Sequence, residues 1–205
     1  MTRPIIIGNP LSPHVRALAL ALAEKDITFT VEGRGQAQPA MRWGDSHVEG
    51  SLACLRHIEQ MAKRMPLEPA DDAGLASMNR VLELHYGEAV MTLGRQVAGP
   101  YVLAIVVGAH AWPMPQEHHE AALRTVSSLE QELGSGAFFG GDTLSLADIA
   151  VSALYEPLTE VPEYHDLVRL DSPLRPWFKR VASRSAFELT KQSGGSIASL
   201  FLAAA

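Results

Sequence analysis

Ser12, His14 and Ser51 are the residues of this chain whose types and spacing best suit them to hold an anion or move a proton. Ser12 directly precedes Pro13, the pattern of a helix N-cap followed by proline at the first helical position. The helix N-terminus adds positive potential at that hydroxyl. The alternative is a plain cap whose hydroxyl is occupied by its own helix. His14 falls in the first turn, where the dipole disfavours imidazolium and keeps the ring a neutral donor or acceptor. Facing an open site, such a ring serves acid–base chemistry; otherwise it is an exposed first-turn histidine. Ser51 opens a further helix, and a helix N-terminus is a ready anchor for a carboxylate. A plain cap is again the alternative.

Other polar groups point to architecture. Ser145 and Asp148 lie three residues apart, the spacing at which each side chain can satisfy a free N–H of a first helical turn. Leu144 and Ile149 flank them as a hydrophobic staple, so Asp148 reads as structural and not as a catalytic acid. His118 and His119 are adjacent and diverge on a helix, where metal ligation needs i, i+3 or i, i+4 spacing; no metal is expected. Cys54 is the single cysteine, reads as a small buried hydrophobe, and has no partner near Ser12 for thiol–disulfide exchange. Tyr86, Met91, Tyr101 and Trp112 either line a hydrophobic acceptor pocket or belong to the core. No Gly-rich phosphate loop or Ser-His-Asp constellation is present.

The 205 residues are 47% hydrophobic, enough for a substantial core in one large or two small domains. A net charge of −6 with scattered Arg and Lys argues against a nucleic-acid partner. The apolar run Tyr101 to Trp112 is too short to cross a membrane. Ile5-Ile6-Ile7 is too short for a signal peptide, which makes a cytoplasmic protein the expectation.

The elements that must position these residues follow from pattern. Ile5-Ile6-Ile7 reads as a buried strand ended by Gly8-Asn9-Pro10, and Val15 to Lys25 as a helix apolar almost all round. Ile27 to Val31 alternates as a second strand, parallel to the first through that helix. Ala40 to Trp43 and Ser46 to Val48 form a hairpin about Gly44-Asp45, and Ser51 caps a helix from Leu52 to Lys63. Beyond Met65 to Asp72 the chain reads as helical over 73–97, 116–133, 146–157 and 174–190. A β-α-β unit followed by β-β-α is a thioredoxin-like arrangement, so the expected fold is α/β followed by all-α. The expected divisions are residues 1–65, a linker at 66–73, and 74–205.

Several segments resemble the glutathione S-transferase family. Gly141-Asp142-Thr143-Leu144-Ser145-Leu146-Ala147-Asp148 is similar to the buried capping box of its helical domain. Phe138-Phe139-Gly140-Gly141-Asp142 and Trp177 to Phe187 are similar to segments of the same domain. Ser12-Pro13-His14-Val15-Arg16 resembles the first helix of serine-type members, departing at Asp26, where the family has glycine. Gln38-Pro39 is similar to the Val-Pro whose cis peptide presents backbone groups to the cysteinyl part of glutathione. Gly50-Ser51-Leu52-Ala53 resembles the family's Glu-Ser-x-Ala, whose serine holds the γ-glutamyl carboxylate.

The resemblance implies that Ser12 donates to the glutathione sulfur and favours the thiolate, with Gln38, Pro39, Gly50 and Ser51 binding the peptide. It also implies a small hydrophobic electrophile as second substrate, conjugated or isomerised with the thiol's help, and a homodimer. Two departures stand against it. Only seven residues separate Val31 from Pro39, leaving no room for the second helix of a thioredoxin-like domain. Gly50 replaces the family's Glu, and Glu49 is displaced by one position. The alternatives are therefore a protein that keeps the fold but has lost glutathione, as a ligand-binding or assembly module, or a specialised enzyme without it.

Overall fold

The computed structural model describes residues 2–33, 38–109 and 113–190. The isoleucine run forms β1 (Ile5–Ile7), an inner strand of a four-stranded sheet ordered β2-β1-β3-β4. β2 (Thr30–Glu32) runs parallel to it with Thr30 opposite Ile5. β3 (Ala40–Trp43) runs antiparallel to β1, and β4 (Ser46–Glu49) antiparallel to β3, as the hairpin pattern predicts. The helix linking β1 to β2, α1 (Pro13–Glu24), buries Val15, Leu18, Leu20 and Leu22. Its Ala- and Leu-rich surface is apolar on nearly every side, so it can pack simultaneously on the sheet and on helices behind it.

β2 begins three residues later than the alternation predicts. Ile27 donates its N–H to Leu22 O at 2.9 Å and Asp26 to Ala23 O at 3.1 Å, a Schellman ending of α1. This turn takes up the first residues of the expected strand. Asp26 sits at φ +55°, which explains why glycine suits the position. In the short connection from β2 to β3, residues 34–37 lie outside the described residues, and Gly33, Gln38 and Pro39 are not helical. Among the described residues no helix lies between β2 and β3, and the hairpin is followed by α2 (Ser51–Met61), which packs on α1 and buries Cys54, Leu55 and Ile58.

The far end of α1 is tied down by charge. Lys25, buried, donates to Glu59 at 2.7 Å and to the carbonyls of Ala62, Arg64 and Met65. Glu59 in turn accepts from the Leu67 N–H. Glu24 receives both arms of Arg184 at 2.7 Å. These bonds fasten the α/β layer to the chain leaving it and to the C-terminal helices.

The helical part opens with α3 (Asp72–Leu84), capped by Asp71, which accepts from the Gly74 N–H at 2.8 Å. The single helix expected over 73–97 instead widens into a π-helical stretch, His85–Ala98, before α4 (Gly99–Val106). It continues with α5 (Gln116–Leu133), α6 (Leu146–Leu158), α7 (Tyr164–Leu167), α8 (Leu174–Ala182) and α9 (Ser185–Thr190). The helix expected over 174–190 is therefore two, divided at Ser183 and Arg184. No described helix is long and apolar enough to cross a membrane.

α6 is buried along most of its length and lies directly against α1. Its N-terminus is built around Asp148, which has no exposed surface. One carboxylate oxygen accepts from the Ser145 N–H and hydroxyl at 2.8 and 2.7 Å. The other accepts from the Phe139 N–H at 3.0 Å and the Trp177 indole at 2.7 Å. Burial raises the Asp148 pKa above the ordinary carboxylate value, while these donors pull it back. Trp177 packs edge-on against Phe139 and Tyr155, so the capping carboxylate anchors an aromatic cluster.

Candidate functional site

The first turn of α1, the first turn of α2 and the start of the π-helical stretch meet at Tyr86, and the space beside Ser12 between them is the candidate cleft. Ser12 is the N-cap of α1, with Pro13 at the first helical position, and its hydroxyl oxygen accepts from the His14 N–H at 3.3 Å. It is half-buried, and its O–H finds no acceptor among the described residues. The cap and the capacity to donate to a ligand thus coexist in one hydroxyl, because the cap uses only a lone pair.

His14 is half-buried, not an exposed first-turn histidine, and lies near-parallel to the Tyr86 ring with centroids 6.0 Å apart. Burial lowers its pKa, and the positive charge of Arg95 lowers it further. The imidazole is therefore held in its neutral form. Arg95 itself is exposed, so the cleft carries a cation beside a neutral ring, a setting that favours an anionic ligand.

Ser51 is the first residue of α2 rather than its cap; Gly50 is the N-cap. Gly50 has φ +90°, with nothing within 4 Å of where a Cβ would sit. Backbone conformation, and not lack of space, accounts for glycine there. Its N–H donates to Pro39 O at 2.8 Å. Among the described residues no peptide bond is cis, so Gln38–Pro39 is trans, unlike the bond in the motif it resembles. Pro39 is buried and Gln38 exposed. Glu49 lies exposed on β4, 3.3 Å from the His47 ring, so the displaced carboxylate points to solvent.

The hydroxyl of Ser51 is bonded to the hydroxyl of Tyr86 at 2.8 Å. Tyr86 thus touches Ser51 at its hydroxyl end and His14 through its ring. Burial pushes its phenol up to about 12, against the pull of the Ser51 hydrogen bond, so it stays a neutral donor and acceptor. Its aromatic type suggests acceptor-pocket lining, but the structure places it between the two helix starts. His85 supports it from behind, edge-on with centroids 4.7 Å apart. That histidine is 3% exposed, its pKa lowered to about 3 by burial and then by His14, and its Nδ1 has no hydrogen-bond partner.

Sequence reasoning passes over His85 altogether, because a histidine inside a helical run carries no local signal. Met91 is exposed, Tyr101 is partly buried against the core, and Trp112 lies outside the described residues. Cys54 is buried, donates to Val48 O at 3.3 Å, and has its thiol pushed up to about 11 by burial, which makes it unreactive. No group of three or more His, Cys, Asp or Glu suited to a metal occurs among the described residues.

Residues 115–180 match the family model of the glutathione S-transferase C-terminal domain. Glutathione S-transferase 3 of Zea mays is 26% identical over 206 residues, covering 90% of this chain and 91% of that protein. Among solved structures, glutathione transferase F2 from Populus trichocarpa superposes with a TM-score of 0.78 at 19% identity, covering 91% of this chain and 96% of that one. The theta class glutathione S-transferase from Xanthomonas axonopodis pv. citri, solved with glutathione bound, gives 0.73 at 20% identity and covers 95% and 99%. Residues 115–180 thus carry the C-terminal domain of the glutathione S-transferase family, and the chain as a whole has the fold of these proteins, a thioredoxin-like layer followed by a helical one.

Proposed function

We propose that the protein binds glutathione in the cleft between α1 and α2 and presents its thiolate to a small hydrophobic electrophile. The observation that carries this reading is the Ser12 hydroxyl, whose proton has no acceptor among the described residues at the positive end of α1. A donor so placed stabilises a sulfur anion and lowers the thiol pKa. The thiol proton passes to solvent; the sulfur lone pair then forms a C–S bond as the leaving group departs with its bonding electrons. In a double-bond isomerisation the same sulfur adds and is later expelled. Neutral His14 moves the proton in that case, and Gln38, Pro39, Gly50 and Ser51 lie along the peptide. A division at a 66–73 linker, a homodimer and a cytoplasmic setting belong to the same proposal.

Calorimetric titration with glutathione tests it. Binding at millimolar concentration or tighter is expected. Ser12→Ala should slow thiol transfer roughly ten- to a hundred-fold, the effect of losing a hydrogen bond to a charged atom. Full turnover by Ser12→Ala on every electrophile the native protein accepts would remove Ser12 from this role. A second reading, a family fold that has lost glutathione, is favoured by the short β2–β3 connection and by Gly50. Absence of any glutathione heat in the native protein would establish it.

A further inference from the structure

We infer that Tyr86 is a specificity-determining residue of this cleft, its hydroxyl completing with Ser51 a two-hydroxyl contact for the γ-glutamyl carboxylate. The inference rests on the glutathione reading above. Its starting point is that one side chain joins Ser51, assigned to the γ-glutamyl carboxylate, to the first turn of α1, whose Ser12 is assigned to the sulfur. The Tyr86 hydroxyl lies 2.8 Å from that of Ser51, and the same ring is stacked on His14, two residues from Ser12. A paired serine and tyrosine use one O–H between them, whichever donates, and leave the other free to point outward. The pair therefore offers an acceptor-only carboxylate a donor without first being broken.

The surroundings fix Tyr86 in this place. His85 buttresses the ring edge-on, and the π-helical stretch begins at that residue. A π turn rotates side chains away from the direction an α-helical register gives them, which is why such turns recur at functional sites. The phenol, held neutral by burial, keeps its proton for donation throughout the physiological range. Gly50 contributes no carboxylate and donates its N–H to Pro39, so the hydroxyl of Tyr86 stands in for contacts the first turn of α2 no longer makes.

Calorimetry with two thiols tests the assignment. Glutathione carries the γ-glutamyl group, and cysteinylglycine is the same thiol without it. Tyr86→Phe keeps the ring on His14 and removes only the hydroxyl; an unchanged melting temperature will confirm the fold. Glutathione affinity is expected to fall roughly ten-fold or more, as for a lost hydrogen bond to a charged group. The affinity for cysteinylglycine should not move. Glutathione binding equal to or tighter than that of the native protein would overturn the assignment, since Tyr86 would then be an idle neighbour or a competitor for Ser51. An equal loss for both thiols would overturn it too, as it would show a general disturbance of the cleft. Failure of the glutathione reading looks different, because the native protein would then bind neither thiol.

Discussion

The Asp148 cluster and the Ser12–Tyr86–Ser51 cleft are both built at helix N-termini from a few polar groups and aromatic rings, yet they are finished differently. Around Asp148 each carboxylate oxygen accepts two hydrogen bonds, and Trp177 and Phe139 close the space. Around Tyr86 the Ser12 proton has no acceptor among the described residues, and the buried His85 Nδ1 has no partner. A fully satisfied buried network holds one arrangement, because every alternative strands a polar group. Unused hydrogen-bonding capacity in the second region is what a ligand would complete, and it costs stability while no ligand is there.

The sharpest way to break this contrast is to remove the Asp148 carboxylate. Asp148→Ala leaves the Trp177 indole, two backbone N–H groups and a serine hydroxyl without an acceptor. At about 1–3 kcal/mol for each stranded group, the loss should reach about 4 kcal/mol or more. That is a large part of the stability of an ordinary domain. Asp148→Asn should recover only part of it, since an amide NH2 would face donors. Urea unfolding measures both; a loss below about 1 kcal/mol for Asp148→Ala would show that the cap is not the anchor.

The cleft should show the opposite signature, a liability in acid. His85 is neutral in the native protein with its pKa lowered from 6.5 to about 3, so below pH 6.5 the unfolded chain binds a proton that the folded one refuses. Its contribution is therefore complete above about pH 6.5 and is lost as the pH falls towards 3, at no more than about 1.4 kcal/mol per pH unit. His14, also lowered by burial and by Arg95, acts in the same direction. His85→Phe should retain the edge-on contact with Tyr86 and flatten the pH dependence of unfolding between pH 6.5 and 5, where the native protein loses about 2 kcal/mol. A variant with the same slope as the native protein would relieve His85 of that role.

The same contrast governs what the sequence could reveal. The Asp148 cap was readable because Ser145, Asp148, Leu144 and Ile149 fall at fixed short offsets, and local spacing encodes a cap. The parallel pairing of the first two strands, the hairpin about Gly44-Asp45 and the lack of room for a second helix followed from equally local cues, whereas the pairing of β1 with β3 did not. The cleft was only half readable. Ser12 and His14 stand beside a proline that marks the helix start, but the pattern reads Ser51 as the cap where the structure has Gly50, because nothing local marks Gly50 as the residue at positive φ. Tyr86 and His85 were beyond reach for a different reason. Their placement depends on a π-helical widening and on packing between residues 35 positions apart in the case of Ser51 and Tyr86.

Asp26 gives the smallest expected effect and the cleanest separation of the two regions, because it lies at the opposite end of α1 from Ser12. Its φ of +55° places an L-residue in the left-handed region, at a Schellman ending that closes through Asp26 and Ile27. A left-handed conformation costs a residue with a Cβ about 1–2 kcal/mol, less for Asp than for most, whereas glycine escapes the clash but adds unfolded-state entropy. Asp26→Gly should therefore stabilise the protein by about 0.5–1 kcal/mol, seen as a higher urea midpoint at unchanged slope. Glutathione affinity should stay where it was, because α1 keeps its first turn and Ser12 its geometry. If the affinity shifted along with the midpoint, the two ends of α1 would be mechanically coupled. The division between a closed structural region and an open binding region would then fail along the very helix that joins them.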